Sequence, residues 1–392
     1  MNILITNDQP MNPFYGGIEW VTDILAKALL KEGHNVYYFA MRTPSAAIMD
    51  YAFPAEMHIL PNAIVDTPQN EDVYKRFLKE KKIELIINQR GLLPEADFFI
   101  RNLPDDIRVI SVLHSKPFGF WDAYWHTLFA NRYGFSNVCK CIIKALAVPY
   151  LVCFGKRRAY EQTKRHLEWV SQHSDKMVVL SQEYKDILCQ RCSIEEPNVI
   201  VIPNPNTFTQ VKEGNKNNEV IYVGRLAAWD KNVMDVISIW AMVEPLHPDW
   251  QLTLVGEGPQ AIYIQRRIRR LGLKRVQLVG KQDPQLYYER ARLSVLVSNY
   301  EGFPMSVTES MQHGVVPVVM NTFCAHDIIQ DGQTGCIVKA HDKKAFAQAL
   351  SQLMSNPDQL RHIAQQAKQA VQQYNQSNII NQWFQLLSQY TM

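Results

Sequence analysis

Short apolar runs alternate with amphipathic segments at a steady pace through the second half of the chain. The runs are rich in valine, leucine and isoleucine and lie at 220–223, 252–255, 276–279, 293–297, 315–319 and 336–338. Between them, apolar residues recur at helical spacing in 233–243, 260–271, 284–291 and 343–354. A strand–helix series of this kind predicts a parallel sheet covered by helices on both faces.

The first half repeats this alternation less regularly. Its predicted strands are 2–6, 35–40, 85–88, 109–113, 177–180 and 199–202. A Pro and Asn cluster at 203–206, followed by the polar stretch 212–218, reads as a linker. We therefore expect an α/β protein with two Rossmann-like domains, residues 1–205 and residues 206–376.

The last segment, 377–392, carries apolar residues at helical spacing from Ile379 to Leu387 and needs a surface to bury against. We expect it to form a helix that packs back toward the N-terminal domain. Ligands of open α/β sheets collect at the carboxyl ends of the strands, so two such domains facing each other predict a cleft lined by strand-end loops.

Composition places the chain among globular proteins, with 47% hydrophobic and 20% charged residues. A formal net charge of +3 does not indicate non-specific nucleic-acid binding. Residues 1–5 run directly into an apolar strand without the features of a signal peptide, and the seven cysteines are an odd, scattered set. These features predict a cytoplasmic protein without a disulfide framework.

Paired glycines, Gly16 and Gly17, stand where the loop after the first strand enters the first long helix. Glycines let the backbone approach an anion, and free N–H groups at a helix start favour negative charge. A flexible turn without a ligand explains them equally well. The loop is not a G-x-G-x-x-G fingerprint, which makes a dinucleotide oxidoreductase a weak alternative.

Two cations follow the first strand of the second half, Arg225 directly and Lys231 six residues later. Arg supplies a rigid fork for phosphate oxygens and Lys a compact charge, so together they suit a diphosphate. Two exposed surface cations are the simpler interpretation. The next strand ends in a turn with Gly256 and Gly258, which suits close packing or approach to a nucleotide base.

The strongest pattern is a pair of carboxylates, Glu301 and Glu309, separated by seven residues. The first is expected at a strand end and the second inside the following helix, with Pro304 in the first helical turn. A capping acid followed by a solvated helix acid is the structural alternative.

Taken in order, these motifs resemble the retaining glycosyltransferases of family 4. The chain has G-R-L with a downstream lysine, G-E-G-P, E-x7-E, H-G-V-V-P-V-V and D-G-Q-T-G between residues 219 and 338. The first half adds the glycine loop, His114 at a strand end and the Pro203-Asn204 hinge. The resemblance implies a GT-B fold with an acceptor-binding N-terminal domain and a donor-binding C-terminal domain.

The resemblance also implies roles for individual positions. Arg225 and Lys231 would grip the donor diphosphate, and Glu309 would hold the ribose hydroxyls. The donor sugar would be held by Glu301 and by the backbone at Gly302, Phe303 and Met305. On the N-terminal side, Gly17 would offer its N–H to a phosphate and His114 would contact the sugar near the scissile bond. Pro304 and Pro205 depart from the glycine that many relatives have there.

Because no aspartate-rich motif accompanies these residues, we expect neither a metal nor a cofactor. Charge on the leaving nucleoside diphosphate would be stabilised by the two cations and by helix N-termini. A retaining reaction without a second nucleophile fits same-face attack by the acceptor. The nucleotide sugar is then a substrate, and the E-G-F-P sequence favours a UDP-hexose.

The acceptor side is aromatic and basic between residues 116 and 168, with nine Lys or Arg against three Asp or Glu. Trp121, Trp125, Lys156, Arg157 and Arg158 represent this segment. Aromatic rings flanked by cations suit a lipid headgroup region or a lipid-linked acceptor, and the apolar run 142–154 is too short to span a bilayer. The segment predicts peripheral contact with an anionic membrane; a solvated helical insertion is the alternative.

The expected partners are therefore a nucleotide-sugar donor and a glycan or lipid-linked acceptor, without nucleic acid. Two other classes remain open at this point. A nucleotide-sugar epimerase on the same fold would bind the donor but need no acceptor segment. A non-catalytic carbohydrate-binding relative would not be expected to keep all four of Arg225, Lys231, Glu301 and Glu309.

Overall fold

The computed structural model describes residues 1–42, 51–123, 156–212, 214–228 and 230–390, so Trp125 lies outside the described residues. The chain divides into two compact units. Unit 1 comprises Met1–Pro117, Glu161–Pro205 and the chain from Gln376. Unit 2 comprises Asn206–Asn375 together with the described residues between Phe118 and Tyr160.

Unit 1 contains a parallel sheet whose strands follow the order β3-β2-β1-β4-β5-β6-β7. The strands are β1 (Asn2–Asn7), β2 (Asn35–Ala40), β3 (Glu56–Ile59), β4 (Leu85–Asn88), β5 (Arg108–Leu113), β6 (Lys176–Val179) and β7 (Val199–Val201). All six predicted strands of this half are present. The edge strand β3 was missed because Glu56-Met57-His58-Ile59 is only partly buried and has little β-branched character.

Five α-helices lie between Gly17 and Arg191 in the part of the chain that the structure describes. They are α1 (Gly17–Lys31), α2 (Pro68–Glu80), α3 (Gly119–Asp122), α4 (Arg157–Gln172) and α5 (Gln182–Arg191), with 3-10 turns at Pro94–Phe99 and Glu196–Asn198. Residues next to one another in sequence determine where α2 begins. The Thr67 hydroxyl accepts a hydrogen bond from the Asn70 N–H, and Pro68 occupies the first helical position.

Unit 2 contains a second parallel sheet, in the order β10-β9-β8-β11-β12-β13. Its strands are β8 (Glu219–Val223), β9 (Gln251–Val255), β10 (Val276–Gly280), β11 (Leu293–Leu296), β12 (Val316–Met320) and β13 (Cys336–Val338). Its helices are α6 (Met234–Val243), α7 (Ala261–Leu271), α8 (Gln285–Tyr288), α9 (Met305–Gln312), α10 (Ala325–Ile328), α11 (Lys343–Ser355) and α12 (Pro357–Ala370), followed by a 3-10 turn at Val371–Tyr374. The core lies between this sheet and its helices, with Trp240 of α6 fully buried.

The last helix, α13 (Gln376–Leu387), belongs to unit 1 and packs against α1. It buries Ile379, Trp383, Leu386 and Leu387. The predicted α/β class with two Rossmann-like domains and a C-terminal helix that crosses back is confirmed.

The chain enters and leaves unit 2 at neighbouring positions. The Asn206 N–H donates to the Tyr374 carbonyl at 2.7 Å, and the Asn206 side-chain amide donates to the Val371 carbonyl at 3.0 Å. Asn206 is buried, so these bonds form in an environment where a lost hydrogen bond is expensive.

Across the described ranges, we find no helix that combines the length and the apolar content needed to cross a bilayer.

Candidate functional site

Three neighbouring strands of unit 2 place the predicted donor residues at one edge of the sheet. β8 lies between β9 and β11, and parallel strands end on the same side. Arg225 and Lys231 follow β8, Gly256 follows β9 and Glu301 follows β11. Topology alone therefore brings together residues that are up to 76 positions apart in sequence.

An ion pair joins two of these residues. Lys231 Nζ lies 2.7 Å from Glu301 Oε1 and 2.9 Å from Oε2, and the Ser298 hydroxyl donates to Oε1 at 2.6 Å. The Thr322 hydroxyl donates to the Ser298 carbonyl at 2.7 Å, which fixes this segment to the end of β12. An ammonium has three donors, so Lys231 can keep this pair and still donate to an anion.

Arg225 is the most exposed charged residue of this edge. One of its nitrogens donates to Asp230 Oδ2 at 2.7 Å, while 63% of the Arg225 side chain remains exposed. A surface ion pair of this kind contributes less than about 1 kcal/mol. Asp230 therefore competes weakly with any phosphate that reaches the guanidinium.

The glycine turns after β8 and β9 pack backbone against backbone. Gly256 and Gly258 have φ of +144° and +154°. A Cβ on Gly256 would lie 1.9 Å from the Gly224 carbonyl oxygen, and one on Gly258 would lie 2.5 Å from that of Leu226. Of the two roles open for this turn, the structure shows close packing; contact with a nucleotide base stays a prediction.

Helix α9 begins at the same edge. Pro304 stands immediately before the first helical residue, Met305, so its predicted place in the first turn was wrong by one residue. Among the described residues no side chain caps this helix start, and uncapped N–H groups in the first turn of a helix suit an anion. Phe303 is buried edge-on against Tyr374 with ring centroids 5.1 Å apart, and the Cys324 thiol donates to the Gly302 carbonyl at 3.4 Å.

Glu309 lies on the buried side of α9. Its Oε1 accepts from the Thr207 hydroxyl at 2.5 Å and its Oε2 from the Tyr288 hydroxyl at 2.9 Å. Burial raises the pKa of Glu309, although the bonds from Thr207 and Tyr288 act in the opposite direction. Each carboxylate oxygen keeps a lone pair for a further donor. Sequence reasoning missed both partners, since neither hydroxyl is near Glu309 in the chain.

Unit 1 has its own strand-edge cluster, built around the glycine loop. Gly16 directly precedes α1 and Gly17 is its first residue, as predicted. A Cβ on Gly16 would meet only the far end of Glu19, at 3.2 Å from Oε2. Glu19 is buried and accepts from the Asn7 side-chain amide at 3.1 Å.

Arg90 ties this cluster together and was missed by sequence reasoning. Its Nε donates to Asn7 Oδ1 at 2.7 Å and to Asp8 Oδ1 at 2.5 Å, and a terminal nitrogen donates to Glu19 Oε1 at 3.1 Å. The available signal was its position two residues after the predicted strand 85–88, at a strand carboxyl end. Arg90 is held by oxygens on three residues and orders the entrance to α1.

His114 follows β5 at the same edge. Its Nε2 lies 2.6 Å from Gln89 Oε1, and its buried Nδ1 has no hydrogen-bond partner among the described residues. Burial, assisted by the positive charge of Arg90, lowers the pKa of His114 to about 3. A neutral imidazole that donates from Nε2 to an amide oxygen has Nδ1 as an acceptor. His114 can therefore accept a hydrogen bond from a hydroxyl.

The predicted acceptor or membrane residues that the structure describes lie in α3 and at the start of α4. Trp121 is in α3, where it packs edge-on against Phe120. Lys156 is partly exposed just before α4, and Arg157 and Arg158 are exposed at the start of that helix.

Two family models match adjoining parts of the chain. The model for Glycosyltransferase Family 4 matches residues 15–205, and the model for Glycosyl transferases group 1 matches residues 204–370. The chain belongs to the family 4 glycosyltransferases, as its motifs predicted.

Relatives with curated descriptions include an exopolysaccharide phosphotransferase of Streptomyces coelicolor, 30% identical over 55% of this chain and 23% of that protein. The amylovoran biosynthesis glycosyltransferase AmsD of Erwinia amylovora is 26% identical over 55% of this chain and 62% of that protein. The chain thus spans between about a quarter and three fifths of the length of these relatives.

Two solved structures share the fold over their whole length. Sucrose-phosphate synthase from Thermosynechococcus elongatus has a TM-score of 0.77, with 19% identity and 99% of each chain covered. Anabaena HepE in complex with UDP-glucose has a TM-score of 0.69, with 18% identity over 99% of this chain and all of that one.

Proposed function

We propose that this protein transfers a hexose from a UDP-sugar to a glycan or lipid-linked acceptor, with retention of the anomeric configuration. The observation that carries the proposal is the edge of unit 2, where Arg225, Lys231 and Glu301 meet beside an uncapped helix start. Two cations and free backbone donors suit the diphosphate of a nucleotide sugar, and a carboxylate suits its sugar hydroxyls.

The donor residues have separate roles in this proposal. Arg225 and Lys231 bind the diphosphate, with Lys231 on the side where charge grows as the bond breaks. Glu301, together with the backbone at Gly302, Phe303 and Met305, holds the donor sugar. Glu309 accepts from the ribose hydroxyls with the lone pairs that Thr207 and Tyr288 leave.

The reaction follows from these positions. The bond between the anomeric carbon and the diphosphate oxygen breaks, and the acceptor hydroxyl oxygen bonds to the same carbon from the same face. The hydroxyl proton passes to the departing phosphate oxygen. Glu301 is paired with Lys231, so its charge balances the ammonium and does not serve as a nucleophile. Lys231 and Arg225 stabilise the nucleoside diphosphate as it leaves.

Two groups of unit 1 also take part in this proposal. The Gly17 N–H at the start of α1 donates to a donor phosphate, and the Nδ1 of neutral His114 accepts from a sugar hydroxyl near the scissile bond. Arg90 and Glu19 hold the loop that presents Gly17.

The names of two relatives support the choice of donor and acceptor class. One structural relative was solved with UDP-glucose, and one curated relative acts in amylovoran biosynthesis. These names favour a UDP-hexose and a polysaccharide or glycolipid product. A lipid-linked acceptor would bring the protein to the cytoplasmic face of a membrane, where Trp121, Lys156, Arg157 and Arg158 are the residues that sequence favoured for contact.

A nucleotide-sugar panel tests the proposal. A donor at a hundred times its dissociation constant stabilises a protein by about 2.7 kcal/mol, so the true donor should raise the melting temperature above the other sugars. The selected donor is then incubated with candidate acceptors in a strong chelator, and radiolabel transfer is measured. We expect transfer without added metal. Loss of transfer in chelator, restored by magnesium, would contradict the metal-independent step; sugar isomerisation without an acceptor would indicate an epimerase.

A further inference from the structure

The surface of α6 and α7 in unit 2 is both the most basic and the most apolar exposed region that the structure describes. The segment Gln260–Lys281 carries seven Lys or Arg residues and no Asp or Glu. Because the whole chain has a formal charge of only +3, the remaining sequence is net negative. This segment therefore carries a large local excess of positive charge with no acidic side chain between its cations.

Helical spacing gathers these cations on the solvent face of α7. Ile262, Arg266 and Arg269 are spaced four and three residues apart and share one face, and Arg270 borders it. All three arginines are exposed, and within the described ranges none forms an ion pair with a carboxylate. Ile262 stands among them with half of its surface exposed.

Further apolar side chains continue this surface toward the ends of the two helices. Leu246 just after α6 is 68% exposed, and Met242 and Leu271 are each 37% exposed. The Glu244 carboxylate accepts from the N–H groups of Lys274 and Arg275 at 2.9 and 3.3 Å, which holds the end of α6 against the end of α7. Leu246 is thereby placed close to the exposed Lys274.

We propose that this α6–α7 surface binds the anionic headgroup region of a lipid bilayer. Arginine and lysine attract lipid phosphates, and exposed aliphatic side chains gain by entering the boundary between headgroups and acyl chains. Nucleic acid fits less well, because the exposed apolar side chains of this surface are aliphatic. The aromatic residue of α7, Tyr263, is only partly exposed, and the Arg266 guanidinium lies 5.9 Å from the centroid of its ring. A second copy of the chain would bring like charges together.

The C-terminal end of α7, with Arg269 and Arg270, lies away from the donor edge of unit 2, whereas Ile262 in the first turn of α7 lies close to the Gly256–Gly258 turn. The Leu252 N–H donates to the Arg275 carbonyl at 2.9 Å, so the segment after α7 lies at the amino end of β9. Arg225, Lys231 and Glu301 lie at the opposite, carboxyl ends of the strands. Docking through the C-terminal ends of α6 and α7 therefore places the bilayer at the amino side of the sheet and leaves the donor edge open.

The segment 116–168, which the sequence predicted for membrane contact, has cations that are less free to bind lipid phosphates than the exposed arginines of α7. Lys116 forms an ion pair with Glu183 at 2.9 Å and is only 16% exposed. Lys164 lies 3.9 Å from Glu168 on α4. The described cations of that segment with no such carboxylate neighbour are Arg157, Arg158 and Arg165, all on α4, and the start of this helix supplies a matched control.

Vesicle flotation of the full chain tests the proposal. Vesicles of phosphatidylcholine alone are compared with vesicles containing phosphatidylglycerol, at low and moderate salt. The variant R266E/R269E/R270E should bind the anionic vesicles at least tenfold more weakly, because each cation near such a surface contributes about fivefold to the binding constant. The control K156E/R157E/R158E changes net charge equally and should bind nearly as well as wild type.

Each outcome decides the location of the contact. An equal loss in both triple variants, or a loss confined to the α4 variant, would overturn the assignment. A second pair, L246S/I262S, keeps all charges and should weaken vesicle binding several-fold; unchanged binding would show a general polyanion site and overturn the lipid assignment. Melting temperatures with and without the donor establish that the variants are folded. Since flotation requires neither donor nor acceptor, the result stands apart from the proposed transferase activity.

Discussion

The strand edges of the two units hold their charges in opposite ways. In unit 2, Arg225 keeps 63% of its side chain exposed and has one carboxylate neighbour. In unit 1, Arg90 is only 23% exposed and donates to oxygens of Asn7, Asp8 and Glu19. The same residue type is thus open to an incoming anion at one edge and committed to the protein at the other.

This difference separates binding from positioning. A cation that must accept a new anion has to keep unused donors within reach, as Arg225 and Lys231 do. A cation that has to order a loop is best surrounded by fixed acceptors, as Arg90 is. The contrast extends to His114, which the charge of Arg90 and its own burial keep neutral.

The largest expected effect is at Lys231. Lys231→Ala should lower kcat by roughly 10² to 10³, because its ammonium is proposed to meet charge that develops on the departing phosphate. Steady-state transfer assays measure it. Lys343→Ala removes another lysine of unit 2 that pairs with a carboxylate, Asp235 at 3.0 Å, and should leave the rate unchanged. Wild-type turnover in Lys231→Ala would remove the electrostatic role from this edge.

The second largest effect is expected on stability, from substitutions in the glycine turn that follows β9 in unit 2. Gly256→Ala should lower the free energy of unfolding by about 3 kcal/mol, because its Cβ would overlap the Gly224 carbonyl. Gly272 also has a positive φ, but no atom lies within 4 Å of the position of its Cβ. Gly272→Ala should therefore lower the free energy of unfolding by only about 1 kcal/mol. Gly16→Ala in unit 1, with extended backbone, should be nearly neutral. Denaturant unfolding compares the three; equal losses would contradict the close packing.

Glu301→Gln should reduce kcat by about tenfold to 10², since the variant keeps the shape of the side chain but loses the charge that fixes Lys231. Glu309→Gln is the matched change eight residues on, and it should chiefly raise the KM for the donor because ribose contacts are similar in ground and transition states. If Glu301→Gln instead raised the KM for the donor and Glu309→Gln lowered kcat, the roles assigned to the two glutamates would be reversed.

The smallest effect concerns acid stability. The folded pKa of His114, lowered to about 3, lies below its ordinary value, so protonation below pH 6.5 favours the unfolded chain and stability falls as the pH drops. At pH 5.5, compared with pH 7.5, this one residue should account for about 1 kcal/mol of lost stability. Between pH 7.5 and pH 5.5, the free energy of unfolding of His114→Gln, measured in urea, should therefore fall by about 1 kcal/mol less than that of the wild type. His362→Gln, on the exposed face of α12, is the control; identical pH dependence of the His114 variant and wild type would contradict the assignment.

Sequence patterns predicted the architecture well because each element is encoded locally. β2 and β4 have the predicted bounds, and α6 and α7 begin within one residue of them. The family resemblance is likewise confirmed by models that together reach from residue 15 to residue 370.

Partners of the site residues could not be predicted in the same way. Arg90 meets Asn7 across 83 positions and Thr207 meets Glu309 across 102, and no local periodicity encodes such pairs. Topology determines them, once the order of the strands is known. The catalytic and binding roles of Arg225, Lys231, Glu301, Glu309 and His114 stay predictions for the experiments above.

Unit 1 is assembled from chain segments that lie on both sides of unit 2 in sequence. Anyone who exchanges unit 2 with that of a relative must therefore join the chains near Pro205 and near Asn375, and again around the part between Phe118 and Tyr160 that unit 2 includes. The exchange must leave α13 with its own α1. A single-junction chimera would pair α1 with a foreign C-terminal helix. Because α1 and α13 pack against each other from opposite ends of the chain, a substitution in one helix constrains the other.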